Sequence, residues 1–452
     1  MIRSKAIARR ARAVAAVMAA LVTLGGCSSS ESATIAPTAT GTVAAVGGGP
    51  CGTGRADPLR LEPLAPARPA AARPTYGREP LGSFYDALTM LERRQTSEPV
   101  SVLILGDSHM AGHFFAGRVR EKLQARFGSA GPGAIPGRAT HRAYRNPLAE
   151  VQQAGNWAGV NSLRPTTPGP FGLSFYRLRA EEAGSTLVAA ATEPAGFDRL
   201  TASVVRLPDG GGLRVSANGC VLGSVATAGD GTVALVADLP RGTTEVSIET
   251  TGGPVELIGW RLTRGRGLLV ENHGVNGAQL AMLSHVEPEI LAAELRRRDP
   301  ALIVLAFGTN EAFAADFSES RYRALVTERV DALRRAVPRA SILIVGPPDS
   351  AVPSRAPAPA RGRKPVGCRW QEPPSLAPVK AALRQAAAEL GVAYWDWSKL
   401  TRGACGVDAM TKRTPPLAQA DHVHFTADGY VEAADQFARF LTDGYARRRK
   451  TS

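Results

Sequence analysis

Three polar side chains in the sequence have the types and spacing of a nucleophilic catalytic site. Ser108 follows the segment Val-Leu-Ile-Leu-Gly-Asp (102–107), and Asp421 stands three residues before His424 near the end of the chain. A serine hydroxyl at neutral pH needs an imidazole to accept its proton, and a carboxylate must hold that imidazole in place. The motifs therefore predict acyl transfer, with Ser108 as nucleophile, His424 as base and Asp421 as the carboxylate that orients the base.

Each of these motifs also has a simpler interpretation. A serine at a strand-to-helix turn is more often a helix cap than a nucleophile. Asp421 could similarly cap a turn beside a solvated pair of histidines, His422 and His424. Of the two histidines, His424 is the better candidate base, because only His424 has an aspartate three residues before it.

Two further motifs could supply hydrogen-bond donors to the same reaction. Asn310 follows the largely apolar segment Val-Leu-Ala-Phe-Gly-Thr (304–309), and Gly277 ends Gly-Val-Asn-Gly (274–277). At the carboxyl end of a strand, the Asn310 amide can point toward the Ser108 hydroxyl. Together with the backbone N–H groups of Ser108 and Gly277, it would form an oxyanion hole with three donors. Donors of this kind typically lower the barrier by about 3–4 kcal/mol each.

The secondary structure that must position these residues follows from hydrophobic spacing. Five short apolar runs predict strands, and the segments between them carry apolar residues at helical intervals. The strands are expected at 100–105, 268–272, 301–307, 341–346 and 392–395, and helices near 115–127, 322–337, 376–390 and 430–441. This alternation predicts an α/β fold, a flavodoxin-like three-layer sandwich with a five-stranded parallel sheet. Ligands bind such sheets outside the carboxyl ends of the strands, where the motifs lie.

The interval between Phe127 and Leu268 interrupts this alternation. It shows no helical period but carries alternating segments such as 245–249, with turn sequences at 209–212 and 229–231. We expect residues 135–265 to form an inserted β-sandwich domain that borders the Ser108 cleft, with its two ends close together. The parent α/β domain would then comprise residues 80–134 and 266–445. The insert could be a structural wall or could bind a polymer chain.

The N-terminal residues predict export. Basic residues precede an apolar run that ends at Leu24-Gly-Gly-Cys27, so residues 1–26 have the pattern of a lipoprotein signal peptide. Cys27 would carry the lipid and anchor the mature protein to the membrane. The apolar run is too short to span a bilayer comfortably. Residues 27–79 are rich in Ser, Ala, Pro, Thr and Gly and are expected to form a disordered linker.

The net charge of the chain limits the kinds of binding partner that are expected. Removal of residues 1–26 takes away five positive charges and lowers the formal charge from +14 to +9. The arginines are dispersed and are not interleaved with aromatic residues, so nucleic acid is not an expected partner. A positive charge would attract an anionic wall polymer or phospholipid surface, although it could equally serve only for solubility.

The remaining cysteines can form disulfides in an oxidising compartment. Cys368 and Cys405 lie in loops after the fourth and fifth predicted strands, which reach the same edge of the sheet, so a disulfide is predicted between them. Cys51 and Cys220 remain competing partners. Because no CxxC motif or histidine-rich cluster has the spacing of metal ligands, neither a metal nor another cofactor is expected.

Taken together, the motifs resemble a known superfamily. Gly-Asp-Ser108, Gly277, Gly-Thr-Asn310 and Asp421-x-x-His424 occur in the order of the four sequence blocks of the SGNH, or GDSL-type, hydrolases. The resemblance covers residues 80–445 apart from the insert. Three features depart from the commonest pattern, namely His109 after the serine, Glu311 after the asparagine, and the large insert. This layout resembles the peptidoglycan O-acetylesterases of Gram-negative bacteria, in which a carbohydrate-binding-module-like β-sandwich interrupts the hydrolase domain.

The resemblance and the predicted export together imply a serine esterase that removes O-acetyl groups from peptidoglycan, anchored by lipid in the bacterial cell envelope and facing the periplasm. The protein is expected to be a monomer. The motifs leave three enzymatic alternatives open. These are acetyl transfer to a sugar hydroxyl, hydrolysis of another acetylated envelope polysaccharide, and a general lipid or acyl esterase. A wall-binding lipoprotein with a relic triad is disfavoured, because a competent residue fills every catalytic position.

Overall fold

One parallel sheet and two large antiparallel sheets organise the described part of the molecule, together with a small two-stranded antiparallel sheet. The computed structural model describes residues 59–64, 79–135, 145–354 and 368–451, all within one unit that begins at Gly48. The strands of this part are β1 (Leu59–Pro63), β2 (Val100–Gly106), β3 (Gly133–Ile135), β4 (Ala149–Ala154), β5 (Ala158–Asn161), β6 (Tyr176–Ala180), β7 (Thr186–Ala191), β8 (Phe197–Val205), β9 (Gly212–Ala217), β10 (Cys220–Ala226), β11 (Thr232–Thr243), β12 (Glu245–Gly252), β13 (Val255–Thr263), β14 (Leu268–Gly274), β15 (Leu302–Ala306), β16 (Ser341–Gly346), β17 (Val352–Pro353), β18 (Trp370–Gln371) and β19 (Ala393–Asp396). The α-helices are α1 (Gly82–Glu92), α2 (Ser108–Ala111), α3 (Phe114–Phe127), α4 (Pro288–Arg298), α5 (Glu319–Ala336), α6 (Leu376–Leu390), α7 (Ser398–Thr401), α8 (Gly403–Thr411) and α9 (Ala427–Thr451), with 3-10 helices at Leu280–His285 and Glu311–Phe313.

The parallel sheet has five strands in the order β14-β2-β15-β16-β19. Counted along the α/β domain this order is 2-1-3-4-5, the flavodoxin-like arrangement that the sequence predicts. Every residue of β2, β14, β15 and β16 is buried, which agrees with their mainly apolar sequences, although β14 also buries Glu271, Asn272 and His273. The register brings Gly106, Gly274 and Ala306 side by side at the carboxyl ends of the three neighbouring strands.

Helices cover both faces of the parallel sheet. Because side chains alternate along a strand, Val102 and Ile104 pack on one face of β2 while Leu103 and Leu105 pack on the other. The first face is covered by apolar residues of α1, α3 and α9, and the second by those of α4, α5 and α6. Helix α1 is absent from the sequence-based prediction, although Phe84, Leu88 and Leu91 have helical spacing.

The two large antiparallel sheets form the inserted domain expected over residues 135–265. One has the order β1-β11-β8-β13-β6-β5, with β3 also paired to β13, and the other has the order β10-β9-β12-β7-β4. A shared apolar core between the sheets, which contains Trp260 and Ile248, makes them a β-sandwich. Ile135 pairs with Trp260 in the β3–β13 ladder, so the two ends of the insert are neighbours, as predicted.

Strand β1 corrects the prediction of a disordered linker over residues 27–79. Leu59–Pro63 pairs with β11 at the edge of the insert, and Leu59 and Leu61 pack against the insert's core. Two alternating leucines and an available strand edge are enough to order this short segment despite its polar surroundings. The signal peptide, Cys27, Cys51 and most of the linker lie outside the described residues. None of the described helices is long and apolar enough to cross a membrane.

A buried charge cluster joins the insert to the α/β domain. Glu271 on β14 is fully buried and lies 3.3 Å from Arg261 of β13 and 3.5 Å from Arg298 of α4. Burial opposes ionisation of Glu271, but the two guanidinium groups outweigh it and lower its pKa. Glu294 of α4 also accepts the Leu173 N–H at 2.6 Å. Since an unpaired buried charge is strongly unfavourable, these contacts fix the insert in one orientation.

A disulfide joins Cys368 to Cys405, the pair that the sequence favours, with their Cα atoms 5.5 Å apart. Cys220 is also disulfide-bonded. The first bond links the segment before β18 to helix α8, across a separation of 37 residues. It therefore closes the loops that surround the Asp421 motif.

Replacement of both Cys368 and Cys405 by serine should lower the free energy of unfolding by about 3–4 kcal/mol, because a cross-link over this separation restricts the unfolded chain. Urea titration of the oxidised wild-type and variant proteins measures the difference. The double variant is preferable to a reductant, which would also act on the Cys220 bond. An unchanged urea midpoint would show that other contacts, such as the buried Asp349–Lys380 pair, already hold these loops.

Candidate active site

Ser108 stands at the first turn after β2. Gly106 makes this turn possible, because a Cβ atom at that position would lie 2.8 Å from the Ala306 carbonyl oxygen. The Asp107 carboxylate then accepts the His109 N–H at 3.0 Å and caps the short helix α2, which begins at Ser108. Strand and cap together fix the hydroxyl-bearing residue at the carboxyl edge of the sheet.

Ser108, His424 and Asp421 form a continuous hydrogen-bonded relay. The Ser108 Oγ atom lies 2.9 Å from His424 Nε2, and His424 Nδ1 lies 2.7 Å from Asp421 Oδ2. Asp421 Oδ1 accepts the backbone N–H groups of Val423 and His424 at 2.9 and 3.0 Å. The aspartate is therefore held by the turn that also carries the histidine, which is the geometric consequence of their three-residue spacing. The Ser108–His424 distance falls in the range that proton transfer requires.

The electrostatics of the relay suit a neutral base beside a charged carboxylate. Burial opposes ionisation of Asp421, but hydrogen bonds from His424 and the two backbone N–H groups outweigh it and lower its pKa to about 2. The hydrogen bond to Asp421 raises the pKa of His424 above 6.5, against the effect of burial. An ionised Asp421 can thus stabilise the imidazolium that forms when His424 takes a proton.

One backbone and one side-chain hydrogen bond bring the predicted oxyanion donors to the same strand edge. The Val275 N–H donates to the Gly106 carbonyl at 3.0 Å, and Asn310 Nδ2 donates to the Ala278 carbonyl at 2.7 Å. Gly277 lies between these contacts in an exposed turn with φ of +77°, a conformation that favours glycine. Among the described residues, neither the Ser108 N–H nor the Gly277 N–H has an acceptor. Both remain able to bind a substrate oxygen.

The insert borders this site on the Gly277 side. A Cβ atom placed on Gly277 would lie 3.8 Å from Leu163 Cδ2, and the Ser162 carbonyl oxygen lies 2.5 Å from Nδ1 of His285. The loop after β5 is therefore docked beside the oxyanion turn. Arg164, the next residue, is exposed.

His422 has a different environment from His424. Its ring stacks on Trp370 with centroids 3.5 Å apart, and its Nε2 atom lies 3.1 Å from Asp408. Its Nδ1 atom lies 2.8 Å from the Ala420 carbonyl oxygen. These contacts occupy both ring nitrogens, so His422 is not placed to accept the Ser108 proton.

Two buried residues beside the catalytic motifs are not among the predicted site residues. His109 is buried beneath His424, with ring centroids 5.5 Å apart, and its Nδ1 atom lies 3.1 Å from the Tyr430 hydroxyl. Burial and the neighbouring His424 lower the pKa of His109 to about 3, so it remains a neutral support. The second is Glu311, a buried carboxylate directly after Asn310. In the sequence, the only indication of a role for Glu311 is that it directly follows Asn310, a candidate donor.

Within the described ranges, no group of three or more His, Cys, Asp or Glu side chains is placed to hold a metal ion. The polar groups at the carboxyl edge of the sheet are instead a hydroxyl, an imidazole, a carboxylate and hydrogen-bond donors. Such a set can perform acyl transfer by proton transfer and oxyanion binding alone.

The chain is similar to known proteins in both sequence and structure. Residues 227–431 match the family described as GDSL-like Lipase/Acylhydrolase. The chain contains a GDSL-like acylhydrolase domain. A solved structure of a peptidoglycan O-acetylesterase in action is 25% identical, with a TM-score of 0.66 over 82% of this chain and 97% of that one. A family two carbohydrate esterase from Clostridium thermocellum is 10% identical, with a TM-score of 0.26, over 64% of this chain and 100% of its own. No curated protein sequence matches the chain.

This relationship identifies the protein as a serine ester hydrolase. The match to the acylhydrolase family includes Gly277, Asn310, Asp421 and His424, whereas Ser108 precedes it. The match begins inside the inserted domain, and the insert separates β2 from β14 in the sequence although the two strands are paired in the parallel sheet.

The acylhydrolase domain should show a rate that rises with pH. His424 can accept the Ser108 proton only when its ring is neutral, and Asp421 raises the pKa of that ring above 6.5. The midpoint of kcat/KM for 4-nitrophenyl acetate should therefore lie above pH 6.5, with activity lost below it. Initial rates between about pH 5 and 9 measure this midpoint. A rate that stays constant or falls over this range would exclude His424 as the base.

Proposed function

We propose that the protein removes O-acetyl groups from peptidoglycan through a Ser108 acyl-enzyme. His424 takes the Ser108 proton as the hydroxyl oxygen attacks the ester carbonyl. The resulting oxyanion accepts hydrogen bonds from Asn310 and from the N–H groups of Ser108 and Gly277. His424 then returns the proton to the departing sugar oxygen, and water hydrolyses the acetyl-enzyme by the same steps in reverse.

The hydrogen-bonded relay from Asp421 through His424 to Ser108 is the observation that carries the mechanism. The choice of substrate is supported by the likeness to the peptidoglycan O-acetylesterase structure, which extends over 82% of this chain. The insert beside Gly277 supports a polymeric substrate, because contacts far from the reacting ester can hold a sugar chain in position.

The proposal includes the location of the enzyme. The signal sequence and Cys27 favour a lipid-anchored protein of the cell envelope that faces the periplasm. The formal charge of +9 after removal of residues 1–26 would attract the mature chain toward anionic envelope polymers. Radiolabelled palmitate incorporation in wild type, and its loss in Cys27→Ser, would test the anchor.

The decisive experiment measures acetate released from O-acetylated sacculi by protein that lacks residues 1–26. Sacculi that have been chemically deacetylated serve as the control substrate. Acetyl, butyryl and octanoyl 4-nitrophenyl esters are compared in parallel, and the acetyl ester should be preferred. Preference for long acyl chains, or no acetate from sacculi despite rapid hydrolysis of small esters, would contradict the peptidoglycan assignment. Acetylation of an added chito-oligosaccharide would instead indicate a transferase.

Polymer targeting should be separable from the chemistry. Arg164→Ala should lower the rate on sacculi by about 3- to 10-fold, since this exposed side chain lies on the loop docked beside Gly277 and can contact distant parts of a polymer. The rate on 4-nitrophenyl acetate should stay within about 2-fold. Arg241→Ala, which changes an exposed arginine on β11, is the matched control. Equal losses on both substrates would argue against a polymer-binding role for the loop.

A further inference from the structure

The turn that carries Gly277 is held by two consecutive residues in the segment that follows β15. Asn310 Nδ2 donates to the Ala278 carbonyl at 2.7 Å, and Glu311 Oε1 accepts the Leu280 N–H at 2.8 Å. On the other side, the Val275 N–H donates to Gly106 at 3.0 Å. The turn is thus fixed between the nucleophile strand and the Asn310–Glu311 pair.

Glu311 is an unusual residue for this position because its carboxylate is buried, with 6% of the residue exposed. Its Oε1 atom also accepts the Tyr322 hydroxyl at 3.2 Å, while its Oε2 atom has no partner among the described residues. Burial raises the pKa of Glu311 to about 7. Burying a carboxyl group is unfavourable without compensating hydrogen bonds, so the Leu280 and Tyr322 bonds are important to its placement.

The Leu280 N–H has a specific need for an acceptor. Leu280 is buried and begins a 3-10 helix, and the preceding Gln279 provides no side-chain cap. The first N–H groups of a helix have no partner within the helix. Glu311 therefore caps this 3-10 helix from a different part of the chain. The N–H group that it caps, on Leu280, lies three residues after Gly277.

We propose that Glu311 is a positioning residue of the oxyanion hole, which holds the Gly277 N–H in place through its hydrogen bond to Leu280. This inference rests on the proposed acyl transfer at Ser108. Glu311 acts on the backbone turn and not on the substrate. Small displacements matter because a donor stabilises the oxyanion only when it lies close to the position where the negative charge develops.

The test compares Glu311→Met with Glu311→Gln in hydrolysis of 4-nitrophenyl acetate. Methionine has a similar length but offers no comparable acceptor, so kcat should fall by about 10- to 100-fold while KM stays within about 2-fold. Glutamine retains a carbonyl oxygen and should recover most of this loss. Asp198→Asn is the control and should keep kcat within about 2-fold, because the Asp198 carboxylate also accepts a backbone N–H, from Gly265 at 2.8 Å, away from the Gly277 turn.

Amide hydrogen exchange of peptides that cover 274–283 provides the readout that separates positioning from general destabilisation. Exchange in Glu311→Met should accelerate in this segment and not in β2 or β14, and Tyr322→Phe should show a smaller effect of the same kind. Normal kcat in Glu311→Met, or lower kcat with unchanged exchange in 274–283, would overturn the proposal. If Glu311→Met does not fold, a loss of 10-fold or more in Glu311→Gln would overturn it, since the acceptor is then present. Activity of wild type and its loss in Ser108→Ala test the acyl-transfer mechanism independently.

Discussion

Replacement of Ser108 by alanine should lower kcat for acetyl-ester hydrolysis by about 10⁵- to 10⁶-fold, to the background of the assay. The serine oxygen forms the bond to the acyl group, so no other residue of the relay can compensate for its loss. His424→Ala should be almost as severe, because the hydroxyl 2.9 Å away would lose its proton acceptor. Initial rates with 4-nitrophenyl acetate and acetate release from sacculi measure both effects.

The neighbouring histidine provides a control for this prediction. His422→Gln should retain kcat within about 3-fold, because His422 contacts Trp370 and Asp408 instead of Ser108. Thermal unfolding of each variant establishes that the protein is folded. Substantial turnover by folded Ser108→Ala would remove Ser108 from the nucleophile role, and an inactive but folded His422→Gln would question the choice of base.

Replacement of Asp421 by asparagine should lower kcat by about 10³- to 10⁴-fold while the fold is retained. The carboxylate accepts the Nδ1–H of His424 at 2.7 Å and thereby leaves Nε2 free to receive the Ser108 proton. An amide can donate to Nδ1 and favour the wrong tautomer. It also removes the negative charge that raises the pKa of His424, so the pH midpoint of the residual activity should move downward.

Asp408→Asn is the matched control for Asp421→Asn. Asp408 also accepts a histidine contact, from His422, but that pair lies away from Ser108. The control should retain kcat within about 3-fold and an unchanged pH midpoint. An Asp421→Asn enzyme with nearly normal kcat would show that the backbone turn alone orients His424.

The sequence predicts the parallel sheet well because buried strands leave a simple pattern. Four of its five strands are fully buried, and each contains at least three consecutive apolar residues, so the predicted bounds fall within two residues of the observed ones. The Ser108 and Asp421–His424 motifs are predictable for a related reason. Each motif lies within a short segment, so the local backbone geometry fixes the positions of its side chains. The carboxyl ends of the parallel strands then bring the two segments together.

Features that depend on contacts between distant parts of the chain cannot be predicted from the sequence in this way. Strand β1 is ordered by the exposed edge of β11, which its own composition does not reveal. Helix α1 is a different case, because the helical spacing of its apolar residues is sufficient to predict it. The function of Glu311 depends on the Leu280 N–H, which lies 31 residues earlier in the chain. Such a contact can be found only after the strands that carry both residues have been placed side by side.

The adjacency of the two ends of the insert has an evolutionary consequence. Because β3 and β13 form neighbouring strands, the insert leaves and rejoins the parallel-sheet domain at almost one point. A module with the same end geometry could be gained, lost or exchanged while β2 and β14 keep their register. Such an exchange has one requirement that a sequence alignment does not show. Any replacement must also accept Leu59–Pro63 as an edge strand, so the N-terminal segment and the insert are expected to evolve as a coupled pair.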